Sequence, residues 1–110
     1  MKITLTPVNM AAHLTLERAG DVLTINGTPY DFTPLPEGAT LPRDAVDCAW
    51  LASDVERVGG ALHLTLTLPH GHNAPGQTRF PAPVIDPPDG PVVLPPHTDA
   101  TQQEDTDDND

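Results

Sequence analysis

Apolar and polar residues alternate along several stretches of the chain. Ala61 to Leu68 reads ALHLTLTL, with Leu62, Leu64, Leu66 and Leu68 on one side and His63, Thr65 and Thr67 on the other. That period of two belongs to a half-buried β-strand. Lys2 to Val8 repeats it, with Ile3 and Leu5 opposed to Thr4 and Thr6. Leu14 to Phe32 predicts a three-stranded meander. With Ala19-Gly20 at its first turn, Arg18 faces Asp21, Leu16 faces Leu23, Thr15 faces Thr24 and Leu14 faces Ile25. Each is a favourable cross-strand pair. Asn26-Gly27 signals a type I′ turn, whose two central residues need positive φ. It sets Leu23 opposite Tyr30 and Asp21 opposite Phe32, so that Leu14, Leu16, Leu23, Ile25, Tyr30 and Phe32 share one face. Pro29 has no N–H to donate, so its strand is expected at an edge, or with the proline turned away from the ladder.

Asp54 to Val58 and Ala61 to Leu68 form a further hairpin across Gly59-Gly60. A strand as apolar as Ala61–Leu68 would invite aggregation at an open edge. It is therefore placed centrally, between the Asp54–Val58 strand and Ile3–Val8. Thr33 to Pro42 carries three prolines and Gly38 and reads as a loop. Asp44 to Ala52 admits helix or strand; the favoured reading is a helical turn near Pro42–Val46, then a strand from Cys48.

The pattern changes at Pro69. Nine of the 14 prolines fall between Pro69 and Pro96. Their apolar company is Phe80, Val84-Ile85 and Val92-Val93-Leu94, with Pro87-Pro88-Asp89-Gly90 as a turn between the last two. Two edge strands or a short terminal hairpin are expected there. His97 to Asp110 has no Leu, Ile, Val, Phe or Met and is expected to be disordered. The expected layout is a β core over 1–68, a Pro-rich arm over 69–96 and an acidic tail over 97–110. The expected fold is mostly all-β: a small antiparallel β-meander sandwich or open barrel of about six to eight strands.

The formal net charge is −11. Six of the 16 acidic residues lie in the last twelve positions, leaving ten acids against five bases upstream. Such a body lacks the basic footprint for nucleic acid, and anionic membranes are disfavoured for the same reason. Cys48 is the one cysteine, which excludes an intrachain disulfide. The first 20 residues lack an uninterrupted apolar core for a signal peptide. The expected location is a reducing cytoplasm, with incorporation into a particle released later as the alternative. A core of this size is marginal alone, so help from a partner or from self-association is expected.

Little in the chain suggests catalysis. Ser53 is the only serine, and Cys48 has Asp47 beside it but no histidine nearby in sequence. Glu17, Asp31 and Glu56 are scattered singly. No nucleophile and base are paired, so no enzyme activity, catalytic residue or cofactor is expected. His70-Gly71-His72 projects two imidazoles to one side of an extended chain, but two ligands do not make a zinc site. A third, from His97, His63 or a carboxylate, has no spacing to support it. The plainer reading is a solvated loop, with no metal. The arm holds better candidates for contact with a partner: Arg79, Phe80, Val84, Ile85, Val92, Val93 and Leu94. Aromatic and Arg side chains are favoured as interface anchors, and an extended arm suits another chain's sheet edge.

Two segments carry a resemblance: GDVLTINGTPYDFTPLPEGATLPRDAV, Gly20 to Val46, and VERVGGALHLTLTLPHGHNAPGQTRFPAP, Val55 to Pro83. Across them the chain resembles small proteins of tailed bacteriophages and prophages encoded among tail genes. The group has no catalytic motif to carry over, and the acidic tail departs from it. The resemblance implies a minor tail component or tail-assembly helper that contacts a phage tail or tail-assembly protein. The competing reading is an acidic phage-encoded inhibitor of a host nucleic-acid-binding protein, with the tail imitating nucleic acid.

Overall fold

The computed structural model describes residues 1–97. The expected disorder of the tail lies outside the described residues, apart from His97. Among those described, nine strands run in chain order: β1 (Lys2–Asn9), β2 (Leu16–Ala19), β3 (Val22–Ile25), β4 (Thr28–Asp31), β5 (Thr40–Leu41), β6 (Val55–Val58), β7 (Ala61–His70), β8 (Val84–Ile85) and β9 (Gly90–Pro91). A 3-10 turn spans Arg43–Ala45, and one helical turn, α1, spans Gly76–Arg79. The strands form two sheets, ordered β5-β6-β7-β1-β8 and β4-β3-β2-β9. Their inner faces share one core, so the fold is an all-β sandwich.

The leucine strand lies at the centre of the larger sheet, between β6 and β1. Leu62, Leu64, Leu66 and Leu68 point inward and are buried, while His63, Thr65 and Thr67 face outward. Ile3 sits beside Leu64 and Leu5 beside Leu66. From the other sheet, Leu16, Leu23, Ile25 and Phe32 meet them across the core. Each such side chain, fully buried, contributes roughly 1.5–3 kcal/mol. The β1–β7 pairing is parallel, an exception in a sheet otherwise antiparallel.

The meander forms with one correction. Its first turn is Gly20-Asp21, so Leu16 pairs with Ile25, Glu17 with Thr24, Arg18 with Leu23 and Ala19 with Val22. Gly20 takes φ +60°. A turn centred on Ala19-Gly20 would ask an alanine for that conformation, which costs about 1–2 kcal/mol. The register moves by two residues, so every side chain keeps its face. The second turn agrees with expectation: Leu23 pairs with Tyr30, and Phe32 N–H donates to the Asp21 carbonyl.

Two further expectations are corrected. Pro42 does start a helical turn, but no strand begins at Cys48; Leu51 makes only an isolated bridge to Leu66. A turn takes its place, with the Cys48 N–H donating to the Val46 carbonyl and the Leu51 N–H to the Cys48 carbonyl. Beyond Leu51, Ser53 Oγ accepts the Thr65 N–H at 2.8 Å, where a neighbouring strand would have offered a carbonyl. The loop over 33–42 also contributes a short edge strand, β5, against β6. In the same loop the two Glu37 carboxylate oxygens accept the Gly59 and Gly60 N–H groups at the β6–β7 turn.

The leucine strand does not stop at Pro69. Ala52 N–H bonds the Thr65 carbonyl and Thr67 N–H bonds the Trp50 carbonyl. Odd-numbered backbone groups of β7 therefore face the β6 side, and even-numbered ones face β1. The missing N–H of Pro69 points beyond Trp50, where no strand pairs, and β1 carries the pairing on to His70. The other strand prolines obey the same rule. Pro29 faces outward from the edge strand β4, and Pro91 outward from β9. Pro7 faces the β8 side of β1, where β8 covers only Lys2 and Ile3.

Beyond β7, the two edge strands expected in the Pro-rich segment are present. The Pro-rich segment returns to its own domain and adds one strand to each sheet, β8 beside β1 and β9 beside β2.

Candidate functional site

The returning segment is a strap with two sides. Val92 is buried in the core, and Val84 and Leu94 pack against it. Between and beyond them, Phe80 is 82% exposed, Ile85 59% and Val93 90%. Arg79 is exposed at the end of α1. Extended backbone explains the split at two places, since neighbouring side chains alternate: Val84 in and Ile85 out, Val92 in and Val93 out. The seven candidate contact residues therefore fall into two groups. Val84, Val92 and Leu94 are held by this chain's own core, while Arg79, Phe80, Ile85 and Val93 face solvent.

Polar anchors fix the strap. The Met1 ammonium donates to Asp86 Oδ1 at 2.6 Å, and the Asp86 N–H donates to the Met1 carbonyl at 2.7 Å. The hydrogen bond from the ammonium, then its charge, hold the Asp86 carboxyl below its ordinary value, with Arg18 adding less. Asp86 takes φ +45°, an uncommon conformation for a residue with a side chain. Arg18 Nη1 donates to the Pro87 carbonyl at 2.6 Å, and Asp89 Oδ1 accepts the Gly20 N–H at 3.0 Å. Farther along, the buried Thr78 donates its hydroxyl to the Pro96 carbonyl at 2.6 Å. The Gly71 N–H donates to the His97 carbonyl, and the His97 ring stacks on His13. These anchors join residues far apart in sequence. Only the Pro87-Pro88-Asp89-Gly90 turn marked any of them in the sequence.

The residues weighed for chemistry lie apart. Ser53 Oγ accepts from Thr65 and donates to the Asp54 carbonyl at 2.8 Å, so its hydroxyl serves the backbone. It lines a shallow depression on the outer sheet face with Lys2, Asp54, Glu56 and His63. Cys48 is half-buried near Tyr30, whose hydroxyl donates to the Asp47 carbonyl at 2.9 Å. Burial, followed by the neighbouring Cys48 and Asp47, pushes the Tyr30 hydroxyl above its ordinary value. His70 Nδ1 faces the Gly71 carbonyl at 2.8 Å. Among the described residues, no group of three or more His, Cys, Asp or Glu side chains is placed to hold a metal ion.

Fold and surface together define a small β-sandwich whose most exposed apolar side chains stand on a strap. No family model, no curated protein and no solved structure matches the chain.

Proposed function

We propose that this chain is a non-enzymatic protein of a tailed bacteriophage or prophage, acting in the tail or its assembly by binding another protein. The observation that carries the reading is the exposure of three large apolar side chains on the strap. Phe80, Ile85 and Val93 are large apolar side chains held in solvent by a segment that is itself anchored. An anchored apolar side chain loses little freedom on binding, which favours affinity. The resemblance of Gly20–Val46 and Val55–Pro83 to tail-region proteins supplies the partner class. The protein would act in the host cytoplasm or travel in the particle.

The strap geometry dictates the test. Deleting residues 79–96 would strip β8 and β9 from the fold as well as the three exposed side chains. Point changes on the outer side separate the two. Phe80→Asp and Val93→Asp should leave the fold intact and abolish co-purification with tail proteins from phage-producing cells. Undiminished co-purification with both changes would overturn the reading.

A further inference from the structure

Resting on the reading that the strap binds another protein, we propose that the cleft between its two limbs receives an extended, basic segment of that partner, fixed by one backbone bridge to Val93. The strap repeats a short pattern. Pro83-Val84-Ile85-Asp86-Pro87 in the first limb matches Pro91-Val92-Val93-Leu94-Pro95 in the second. In each, the first valine packs on the core and the residue after it is exposed. Between the limbs runs a cleft of about 450 Å³, lined by Ala82 and Val84 from the first limb and by Val93, Leu94, Pro95 and Pro96 from the second. Gln77 is the one polar residue in its wall.

Backbone direction and charge describe the occupant. The Val92 N–H donates to the Leu16 carbonyl, and the Asp86 N–H to the Met1 carbonyl. Backbone groups alternate in an extended chain, so Val93 and Ile85 turn theirs away from the sheets. Proline stands two residues to either side of each and has no N–H to offer. Within each pattern one outward N–H remains, and of the two residues only Val93 lines the cleft. A partner strand can exchange one residue's pair of hydrogen bonds there but cannot build a longer ladder. Its apolar side chain enters the aliphatic cleft, and charge fixes what flanks that side chain. Residues 71–110 carry eight acidic residues and a single base, Arg79. Lysine or arginine on either side of the apolar residue complements that charge. A second copy of this chain brings a further net charge of −11 and is repelled. The chain's own residues 98–110 contain no Leu, Ile, Val, Phe or Met to fill an apolar cleft.

The test is NMR shift mapping on the full chain with two synthetic heptapeptides, acetylated and amidated at their ends: Lys-Val-Lys-Val-Lys-Val-Lys and Lys-Ser-Lys-Ser-Lys-Ser-Lys. The valine peptide should move the amide signals of Ala82, Val84, Val93 and Leu94 saturably. The serine peptide has the same charge but nothing apolar for the cleft, and should leave those signals in place. Ala82→Lys sets a like charge in the cleft and should weaken the valine peptide about tenfold or more. Val58→Lys makes the same change of charge on the exposed β6, two strands from β8, and should not. Val93→Pro removes the bridging N–H without taking a bond from the sheet, and should weaken binding about threefold or more. Equal cleft shifts with both peptides, shifts confined to residues 98–110, or full affinity in Ala82→Lys overturn the proposal, and full affinity in Val93→Pro overturns the bridge. Cleft shifts that grow with protein concentration in the absence of peptide mark a second copy as the occupant and overturn it too. Peptide bound in the cleft while no tail protein co-purifies supports the cleft and removes the tail reading alone. Co-purification with no cleft shift removes the cleft alone.

Discussion

Arg57 Nη2 donates to Asp21 Oδ2 at 3.0 Å, and this contact bolts one sheet of the sandwich to the other. Arg57 belongs to β6, while Asp21 lies in the β2–β3 turn. The same guanidinium also donates to the carbonyls of Phe32, Leu35 and Gly60. Its side chain is 11% exposed, so little water is available to replace those partners. Arg57→Ala should lower unfolding free energy by about 2–4 kcal/mol, measured in urea. Arg57→Lys should recover only part of the loss, because an ammonium cannot span the same fork of acceptors.

The two sides of the strap should respond oppositely to charge. Val92→Asp buries a carboxylate in the core and should unfold the protein or cost several kcal/mol. Val93→Asp should change stability by no more than about 0.5 kcal/mol. Thermal unfolding of the two proteins checks both.

Prolines should prove to guard the edges. Pro29 occupies the outward position of β4, where any other residue would offer an N–H to a neighbouring chain. Pro29→Thr should leave the monomer fold intact and produce concentration-dependent self-association in sedimentation.

Much of this architecture was legible in the sequence, and the parts that were not share a cause. The central place of the leucine strand followed from its apolarity, and the Asn26-Gly27 and Gly59-Gly60 turns from the φ values they need. The first hairpin was misregistered because side-chain pairs alone could not separate two registers of equal parity. Conformation at Ala19 decided between them. The strand expected at Cys48 was lost to a turn, in which the Cys48 N–H donates to the Val46 carbonyl and the Leu51 N–H to the Cys48 carbonyl. Counting prolines suggested an arm laid along a partner, with two edge strands or a short hairpin within it. A proline spoils a strand only where its missing N–H faces a partner, and that direction depends on tertiary pairing. The inward positions of Val84, Val92 and Leu94 were hidden for the same reason.

Acid should loosen the strap at Asp86. Its carboxyl is held below its ordinary value in the folded state by the Met1 ammonium. A group depressed in this way contributes stability above its unfolded pKa, near 3.9, that is lost as pH falls through the folded value. Asp86→Asn should therefore lower stability at neutral pH and flatten the pH dependence below about pH 4. Chemical unfolding at a series of pH values checks this.

Lys2 pairs with His63 and Asn9 with His70, so the parallel pair at the heart of the larger sheet joins segments from opposite parts of the chain. On a ribosome, β1 emerges early and must wait for β7 before Ile3 and Leu5 find cover. The β2 edge waits longer still, until Gly90 and Pro91 arrive. Local hairpins can form as they appear, but neither sheet is complete until Val84–Ile85 and Gly90–Pro91 have been made. Closure of both sheets thus waits on β8 and β9, and a nascent chain stalled before residue 84 would hold three finished hairpins with an edge of each sheet still open.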